Sequence, residues 1–351
     1  MLLFWLIAKI FISNFPAFYF ICRVSILMEN VSEVTSIYLS DYYGMESLKP
    51  VYFTLFLITY ITIVGENLVL IWVVFCEKSL HAPMYFLLCN LAVNGLYGST
   101  ALLPAVLNNL LSNSYEISLS FCQTQIYAVH TYATIEFTIL AAMSYDRYLA
   151  ICYPLLYHTI MSQRIVKLIV FSWLYPMLRT LDQVYCMNYK LVKLACSDTS
   201  IANIVGLISV GVYAVPQIIM IFYSYAHILR LCVSSFSKSK LKALRTCTPH
   251  ILAVVNYTIG CFLEMAQSRF NMSHLPYEMK LFLSVYFLIF PPLLNPTIYG
   301  LSIGVIRIRL FRLFSRKSKQ ITNNVAKRAV AVVHSKCVVH GDVRTDASRD
   351  A

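Results

Sequence analysis

Charged residues are scarce in this chain: Asp, Glu, Lys and Arg make up only 13% of its 351 residues, and only 16 residues are acidic. A soluble domain of ordinary composition carries about 25% charged residues. The shortage excludes such a domain. Without a soluble domain to present a basic surface, the net charge of +12 is no argument for nucleic-acid binding. The 59% of hydrophobic residues indicate a membrane protein instead.

Sequence motifs of catalytic, cofactor-binding and metal-binding sites are missing as well. The sequence has no pairing of a nucleophile with a base, no cofactor-binding loop and no His or Cys spacing typical of a metal site. It also lacks the inverted repeats, and the acids in corresponding membrane halves, that are typical of transporters. We therefore expect neither an enzyme nor a transporter or channel, and neither a cofactor nor a metal.

Seven apolar runs dominate what the chain does contain. Each is near or above the roughly 17–25 residues that a helical span needs, and far longer than the roughly 10-residue alternating strands of a membrane barrel. Only helices or closed barrels satisfy the backbone in hydrocarbon. The sequence therefore predicts an all-α membrane protein, a bundle of seven transmembrane helices. The runs cover residues 51–75, 84–111, 122–144, 165–181, 201–229, 244–265 and 277–301.

Lys and Arg collect in every second connection, which predicts the orientation of the bundle. Because cytoplasmic loops carry such an excess, we expect the N-terminus outside and the C-terminus in the cytoplasm. The N-glycosylation triplets that begin at Asn30 and Asn271 then fall on the outer side. A third triplet, at Asn256, lies inside the sixth run and is interpreted as a chance match.

The two ends of the chain differ from the bundle, which covers 51–301. Residues 1–27 hold an apolar stretch too short to span a membrane and without a signal-peptide cleavage pattern, so we interpret them as an upstream extension before an extracellular segment, 28–50. Residues 302–319 mix bulky apolar and basic side chains, which predicts a short amphipathic helix on the anionic lipid of the inner leaflet. Residues 320–351 are polar and patternless, which indicates a disordered cytoplasmic tail.

Two short motifs close the third and seventh runs. Arg147 lies at the cytoplasmic end of its helix, where the helix dipole favours a cation, and the neighbouring Asp146 can hold the guanidinium in a charge-assisted hydrogen bond. The alternative is a surface ion pair of little consequence. Pro296, after Asn295, removes a backbone donor within the last helix, which predicts either a deformable point or a static kink.

Together with the seven runs and the outer Cys122, the motifs DRY at 146–148 and PLLNPTIY at 292–299 resemble a rhodopsin-like (class A) G-protein-coupled receptor. Further strings narrow the resemblance to the odorant (olfactory) receptor family. They occur in the family's order: HAPMYF at 81–86, MSYDRYLAICYP at 143–154, SY at 224–225 and KALRTCTPH at 242–250.

The resemblance implies a function at the cell membrane. A small odorant binds in the outer half of the bundle, the sixth helix moves, and a heterotrimeric G protein of the olfactory stimulatory type is activated at the inner face, which raises cyclic AMP. In the family the Arg of the DRY motif faces the G protein once the bundle opens. The switch residues are then Asp146, Arg147, Tyr148, Tyr225, Asn295, Pro296 and Tyr299.

The ligand pocket is expected between the outer halves of helices three, five, six and seven. Each candidate can equally be a helix-packing residue. Since Val129 occupies the position at which amine receptors keep an Asp, small neutral or weakly polar odorants fit better than amines. The candidates that share one face of the third helix are Val129, His130, Ala133, Thr134 and Phe137, and those on the fifth and sixth are Ser209, Val210, Tyr213, Tyr257, Gly260 and Cys261.

Cysteine positions predict one disulfide. Cys122 opens the third run on the outside, and Cys186 and Cys196 lie in the outer loop between runs four and five, where the oxidising compartment permits a disulfide. The pairing that we expect is Cys122–Cys186.

A buried acid in the third run marks a further candidate site. Glu136 lies eleven residues before Arg147, about 16 Å deeper in the membrane, where a carboxylate is a functional hypothesis by default. Odorant receptors commonly pair an acid here with an Asp of the second helix around a sodium ion or proton. This chain has Gly95 at the place of that Asp, which argues against ion binding, although Asn94 offers a neutral oxygen.

The fourth run departs from the family pattern because it is short: Arg179 and Asp182 follow closely on Trp173. A shortened fourth helix would suggest a degenerate or non-signalling receptor product, which is the alternative function.

Overall fold

The computed structural model describes residues 36–38, 48–112, 116–183, 200–233, 238–270 and 274–309. Helices account for nearly all of these residues, which confirms the predicted all-α fold. In chain order the long helices of the described ranges are α1 Lys49–Cys76, α2 Pro83–Leu111, α3 Leu119–Cys152, α4 Pro154–Gln183, α5 Ser200–Val233, α6 Lys238–Arg269 and α7 Tyr277–Ser302. A 3-10 turn, Lys78–Leu80, joins α1 to α2.

Prolines mark several helix starts. Pro83 is the first residue of α2 and Pro154 the first of α4. Proline suits this position because its missing N–H would have no partner there and its φ is already helical. At the start of α3, Ser118 Oγ instead accepts a hydrogen bond from the Phe121 backbone N–H at 3.3 Å, a normal N-terminal cap.

Within the described residues, six helices are long and apolar enough to cross a membrane: α1, α2, α3, α5, α6 and α7. The fourth, Pro154–Gln183, is not among them, although it has 30 residues. At 1.5 Å per residue it is about 45 Å long, more than the roughly 30 Å of a hydrocarbon core. The expectation of a shortened fourth helix is therefore wrong for the helix itself. The helix is long enough to span a membrane, but its described residues are not apolar enough.

Helix α3 supplies the centre of the bundle and contacts α2, α4, α5 and α6. Its side chains Tyr132, Ile135 and Ile139 are completely buried. The outer surface of the bundle is also apolar: large side chains such as Trp72 and Phe222 are half or more exposed there. Lipid tails cover such side chains at no cost, as expected for a helical membrane bundle.

Two three-residue strands were not anticipated from the sequence. Strand β1, Ser36–Tyr38, pairs antiparallel with β2, Glu116–Ser118. The pairing places part of the leading segment next to the start of α3.

The chain divides into two units, one up to Ile298 and one from Tyr299 onward. In the second, the described residues comprise the end of α7 and a further helical stretch, 304–309. That stretch falls within the expected amphipathic helix. Residues 310–319, the tail 320–351, the leader 1–27 and most of 28–50 lie outside the described residues.

Candidate switch and ligand site

The C-terminal end of α3 carries an ion pair. Arg147 donates from Nε and Nη2 to Asp146 Oδ2 at 3.0 and 2.5 Å. Asp146 is completely buried and the Arg147 side chain is 14% exposed. Tyr157, at the start of α4, donates its hydroxyl to Asp146 Oδ1 at 2.8 Å. Burial and a third partner distinguish this arrangement from an exposed surface pair, which would contribute little.

Tyr148 belongs to a separate aromatic cluster. Its ring lies 5.6 Å from that of Tyr153, 5.7 Å from that of Tyr223 and 5.8 Å from that of His227, centroid to centroid. Edge-to-face contacts of this kind stabilise packing. Tyr148 therefore packs α3 against α5 and against the junction with α4, and the structure does not place it on the Asp146–Arg147 pair.

His250 of α6 joins three helices. Its Nε2 lies 3.0 Å from the Leu140 carbonyl oxygen of α3, and a carbonyl requires a donor. In a neutral ring Nδ1 is then the acceptor, and it receives the hydroxyl of Tyr225 from α5. The structure thus brings the expected switch residue Tyr225 to α6. His250 ends the KALRTCTPH string, which indicates the family but predicts no contact for this residue.

Glu136 is 1% exposed in the middle of α3. Asn94 of α2 donates Nδ2 to Glu136 Oε2 at 2.7 Å, and Asn295 of α7 donates Nδ2 to Glu136 Oε1 at 2.8 Å. The Asn94 amide also reaches the Tyr132 carbonyl oxygen at 3.0 Å. The buried carboxyl therefore links three helices through neutral donors, the kind of network that a buried polar group needs.

Gly95 allows α2 to approach α7. A Cβ at this position would lie 3.3 Å from Pro292 Cβ and 3.5 Å from Asn67 Oδ1. Gly95 brings no ligand atom, and Asn94 turns its nitrogen, rather than the oxygen considered above, towards Glu136. Among the described residues, no group of three or more His, Cys, Asp or Glu side chains could hold a metal ion.

A residue of α1 supplies the hydrogen bond that Pro296 removes from the backbone of α7. Pro296 has no N–H for the carbonyl of Pro292, four residues earlier. Asn67 of α1 donates Nδ2 to that carbonyl at 2.9 Å. Directly beyond the break, Thr297 donates Oγ1 to Glu66 Oε2 at 2.9 Å. Glu66 carries no motif and lies inside the first apolar run, so sequence reasoning missed it. Tyr299, the remaining expected switch residue, is buried and belongs to the second unit.

The predicted ligand face of α3 is the more accessible side of the helix between residues 129 and 137. His130 is exposed and Val129, Ala133, Thr134 and Phe137 are half-buried, whereas the intervening Thr131, Tyr132, Ile135 and Glu136 are buried. His130 and Thr134 bind backbone carbonyls of their own helix, at 2.9 Å from Ile126 and His130 respectively. Their polar atoms are therefore partly engaged already.

Tyrosines of α5 and α6 close on this face. Tyr257 donates its hydroxyl to the Ala133 carbonyl oxygen at 2.8 Å and stacks on Phe137 with ring centroids 5.6 Å apart. Tyr213 donates to the Thr134 carbonyl oxygen at 2.5 Å. The structure thus brings together five of the candidates, and their role as ligand contacts stays a prediction. They are Ala133, Thr134, Phe137, Tyr213 and Tyr257.

Phe287 of α7 was not predicted but lies beside these candidates. It contacts the Tyr257 ring at 5.7 Å, and a Cβ on Gly260 would lie 3.0 Å from Phe287 Cδ2. Gly260 is thus a close-packing residue between α6 and α7. Cys261, next to it, is half-buried.

Several predicted positions cannot be placed. The side chains of Ser209 and Val210 lie outside the described residues, as do Asn30, Asn271 and Cys186. Cys122 is half-buried near the start of α3. The Cys122–Cys186 disulfide and the two glycosylation sites therefore stay predictions.

Comparison with known proteins decides the family. The family model described as "Olfactory receptor" matches residues 56–317. The chain belongs to the olfactory receptor family. It is 33% identical to human olfactory receptor 51G1 over 310 aligned residues. The alignment covers 83% of this chain and 96% of that protein. It is 32% identical to mouse olfactory receptor 4B13 over 295 residues, 78% of this chain and 94% of that protein.

The fold of this olfactory receptor is also that of a solved structure. The crystal structure of squid rhodopsin aligns with a TM-score of 0.60 and 16% identity, over 81% of this chain and 91% of that one. The chain is thus an odorant receptor with the rhodopsin-like fold and a multi-pass protein of the cell membrane, a receptor and not an enzyme.

Proposed function

We propose that this olfactory receptor binds a small odorant in the outer half of the bundle and activates a stimulatory heterotrimeric G protein at the cytoplasmic face, which raises cyclic AMP. The N-terminus is outside and the C-terminus cytoplasmic. The observation that carries the proposal is the closed contact of Arg147 with Asp146, braced by Tyr157. A guanidinium held in this way is available to a partner only after the bundle rearranges.

Helix α6 is tied to the same region in the resting state. His250 holds it to α3 at Leu140 and to α5 at Tyr225. An agonist near Tyr257, two turns further along α6, acts on the same rigid helix. Movement of α6 would break the His250 contacts and open the space beside Arg147.

The ligand class follows from the face that α3 presents. Val129, Ala133 and Phe137 make this face mainly apolar, and His130 and Thr134 add polar atoms. With no carboxylate on the face, a cationic amine has no anchor there. We infer that agonists are small, neutral or weakly polar molecules.

The test is cyclic AMP in cells that express the receptor and receive panels of odorants. Arg147→Ala should abolish the response at unchanged surface amount. Arg164→Ala is the matched control, because Arg164 lies on the same side but donates to the Tyr145 hydroxyl, at 2.7 Å, outside the pair. An unchanged response of Arg147→Ala would refute the proposed switch.

A degenerate, non-signalling product is the second candidate. The observation in its favour is that α4 is not among the six sufficiently apolar helices of the described residues. Labelling of intact cells with an antibody against an N-terminal tag decides between the two. Normal delivery of the unmodified chain to the surface would exclude a trafficking defect, and retention inside the cell would support one.

A further inference from the structure

A second carboxyl lies at membrane depth. Glu66 is 17 residues from Lys49 and 10 from Cys76, the ends of α1, hence about 25 and 15 Å along the helix from them. An acid at such depth is costly and functional by default. Glu66 is half-buried. Glu136 of α3 is held by Asn94 and Asn295, whereas Glu66 accepts a hydrogen bond from α7 alone among its described contacts.

The partner of Glu66 lies at a special place in α7. Thr297 is the first residue after Pro296, and its Oγ1 donates to Glu66 Oε2 at 2.9 Å. The adjacent Asn67 donates to the carbonyl oxygen of Pro292 on the other side of the break. Two consecutive residues of α1 therefore contact α7 before and after Pro296, one of the three prolines inside that helix.

A missing backbone hydrogen bond leaves the angle between the two parts of a helix to its side-chain contacts. Asn67 satisfies the carbonyl that Pro296 leaves open. It does not restrain the residues after the proline. In the described contacts of Thr297, the Glu66 carboxyl is the one partner from another helix, since its second acceptor is the Leu293 carbonyl oxygen of α7 itself, at 3.4 Å.

We propose that Glu66 is a positioning residue that holds α7 against α1 at Thr297, directly beyond Pro296, and thereby stabilises the resting receptor. The proposal deepens the proposed function and rests on it for the signalling readout. Asn295, directly before Pro296, is held to α3 through Glu136. The residue before Pro296 is thus bound to Glu136 of α3, and the residue after it to Glu66 of α1.

The experiment uses four single variants and one double variant of the full receptor. Glu66→Leu and Thr297→Val remove the hydrogen bond. Glu66→Gln and Thr297→Ser are matched controls that keep an acceptor and a donor. Basal cyclic AMP is measured per receptor at the cell surface, and the melting temperature of the purified receptor is measured without any G protein.

We expect Glu66→Leu and Thr297→Val each to raise basal cyclic AMP about fivefold. This is the change in the ratio of active to resting receptor that corresponds to the loss of one hydrogen bond from the resting state. The Gln and Ser variants should stay near the unmodified receptor. Glu66→Leu with Thr297→Val should change both readouts no more than either single variant, since the two remove the same contact.

Additive melting-temperature changes in the double variant would overturn the proposal, and so would equal effects of Glu66→Leu and Glu66→Gln. Unchanged basal activity of Glu66→Leu in a receptor that answers odorants would also overturn it. If no form of the receptor raises cyclic AMP, the proposed function fails, while non-additive melting temperatures would still support the contact between α1 and α7.

Discussion

In the proposed switch, Asp146 is the residue that holds the Arg147 side chain. Asp146→Asn keeps the shape and one acceptor oxygen but removes the negative charge from a completely buried site. Because a charge-assisted hydrogen bond is worth about 1 kcal/mol more than a neutral one, we expect basal cyclic AMP per surface receptor to rise about fivefold. A basal level equal to that of the unmodified receptor would contradict this.

Tyr157 provides a graded comparison. Tyr157→Phe removes only the hydroxyl that donates to Asp146 Oδ1 and leaves the carboxylate with Arg147. Its effect on basal activity should therefore have the same sign and be smaller.

Sequence reasoning reached Asp146 and Arg147 because they are neighbours in the chain and their contact is local. It did not reach Tyr157, His250 or Glu66. Their contacts join different helices, and the chain carries no periodicity that reports which side chains of two helices meet. The acid Glu136 was found from its depth and from the family resemblance, and Asn94 was named beside it as an oxygen rather than as the donor that it is. The contact with Asn295 of α7 became known only from the structure.

At the level of helices, His250 ties α6 to α3 and α5. His250→Phe keeps an aromatic ring, slightly larger than the imidazole, but removes both hydrogen bonds. A buried partner left without its hydrogen bond costs about 1–3 kcal/mol, so we expect a lower melting temperature together with higher basal activity. Tyr225→Phe should have a smaller effect, and the double variant should match His250→Phe. Fully additive changes would mean that the two residues do not act through their shared hydrogen bond.

Close packing of α2 on α3 depends on Gly98. A Cβ there would lie 2.4 Å from Tyr132 Cδ2 and 2.5 Å from its Cγ, and that ring is completely buried. Overpacking of this kind costs about 1–3 kcal/mol. Gly98→Ala should therefore lower the melting temperature of the purified receptor and its surface amount.

Gly65 is the matched control for Gly98. It lies in α1, where a Cβ would have nothing within 4 Å, and alanine is favoured over glycine in a helix by up to about 1 kcal/mol. Gly65→Ala should leave the melting temperature unchanged or raise it. Equal losses in the two variants would mean that the Tyr132 contact is not the cause.

Helix positions were the most predictable elements, because apolar runs near 20 residues have few alternatives in a membrane. The fourth helix shows the limit of that reasoning. Its apolar part is short, yet the helix runs through polar residues to Gln183, which hydropathy alone does not predict. The strand pair of Ser36–Tyr38 with Glu116–Ser118 has no sequence signal at all.

For the molecule as a whole, the proposed orientation predicts which asparagines carry glycan. Asn30 and Asn271 fall on the outer side. Asn256 lies in α6, 7% exposed, and its Oδ1 accepts the Tyr286 hydroxyl at 3.0 Å, so the glycosylation machinery cannot reach it. We expect Asn30→Gln and Asn271→Gln each to increase the electrophoretic mobility of the receptor by one glycan, and Asn256→Gln to leave it unchanged.

Treatment with a glycosidase provides the control for this prediction, since all variants should then migrate together. Asn256→Gln also moves a buried amide away from Tyr286, so its surface amount should be measured in parallel. A glycan-dependent shift for Asn256→Gln would place α6 outside the membrane. The absence of any glycan on the unmodified chain would remove the support of the triplets for an outer N-terminus, and the orientation would then rest on Lys and Arg alone.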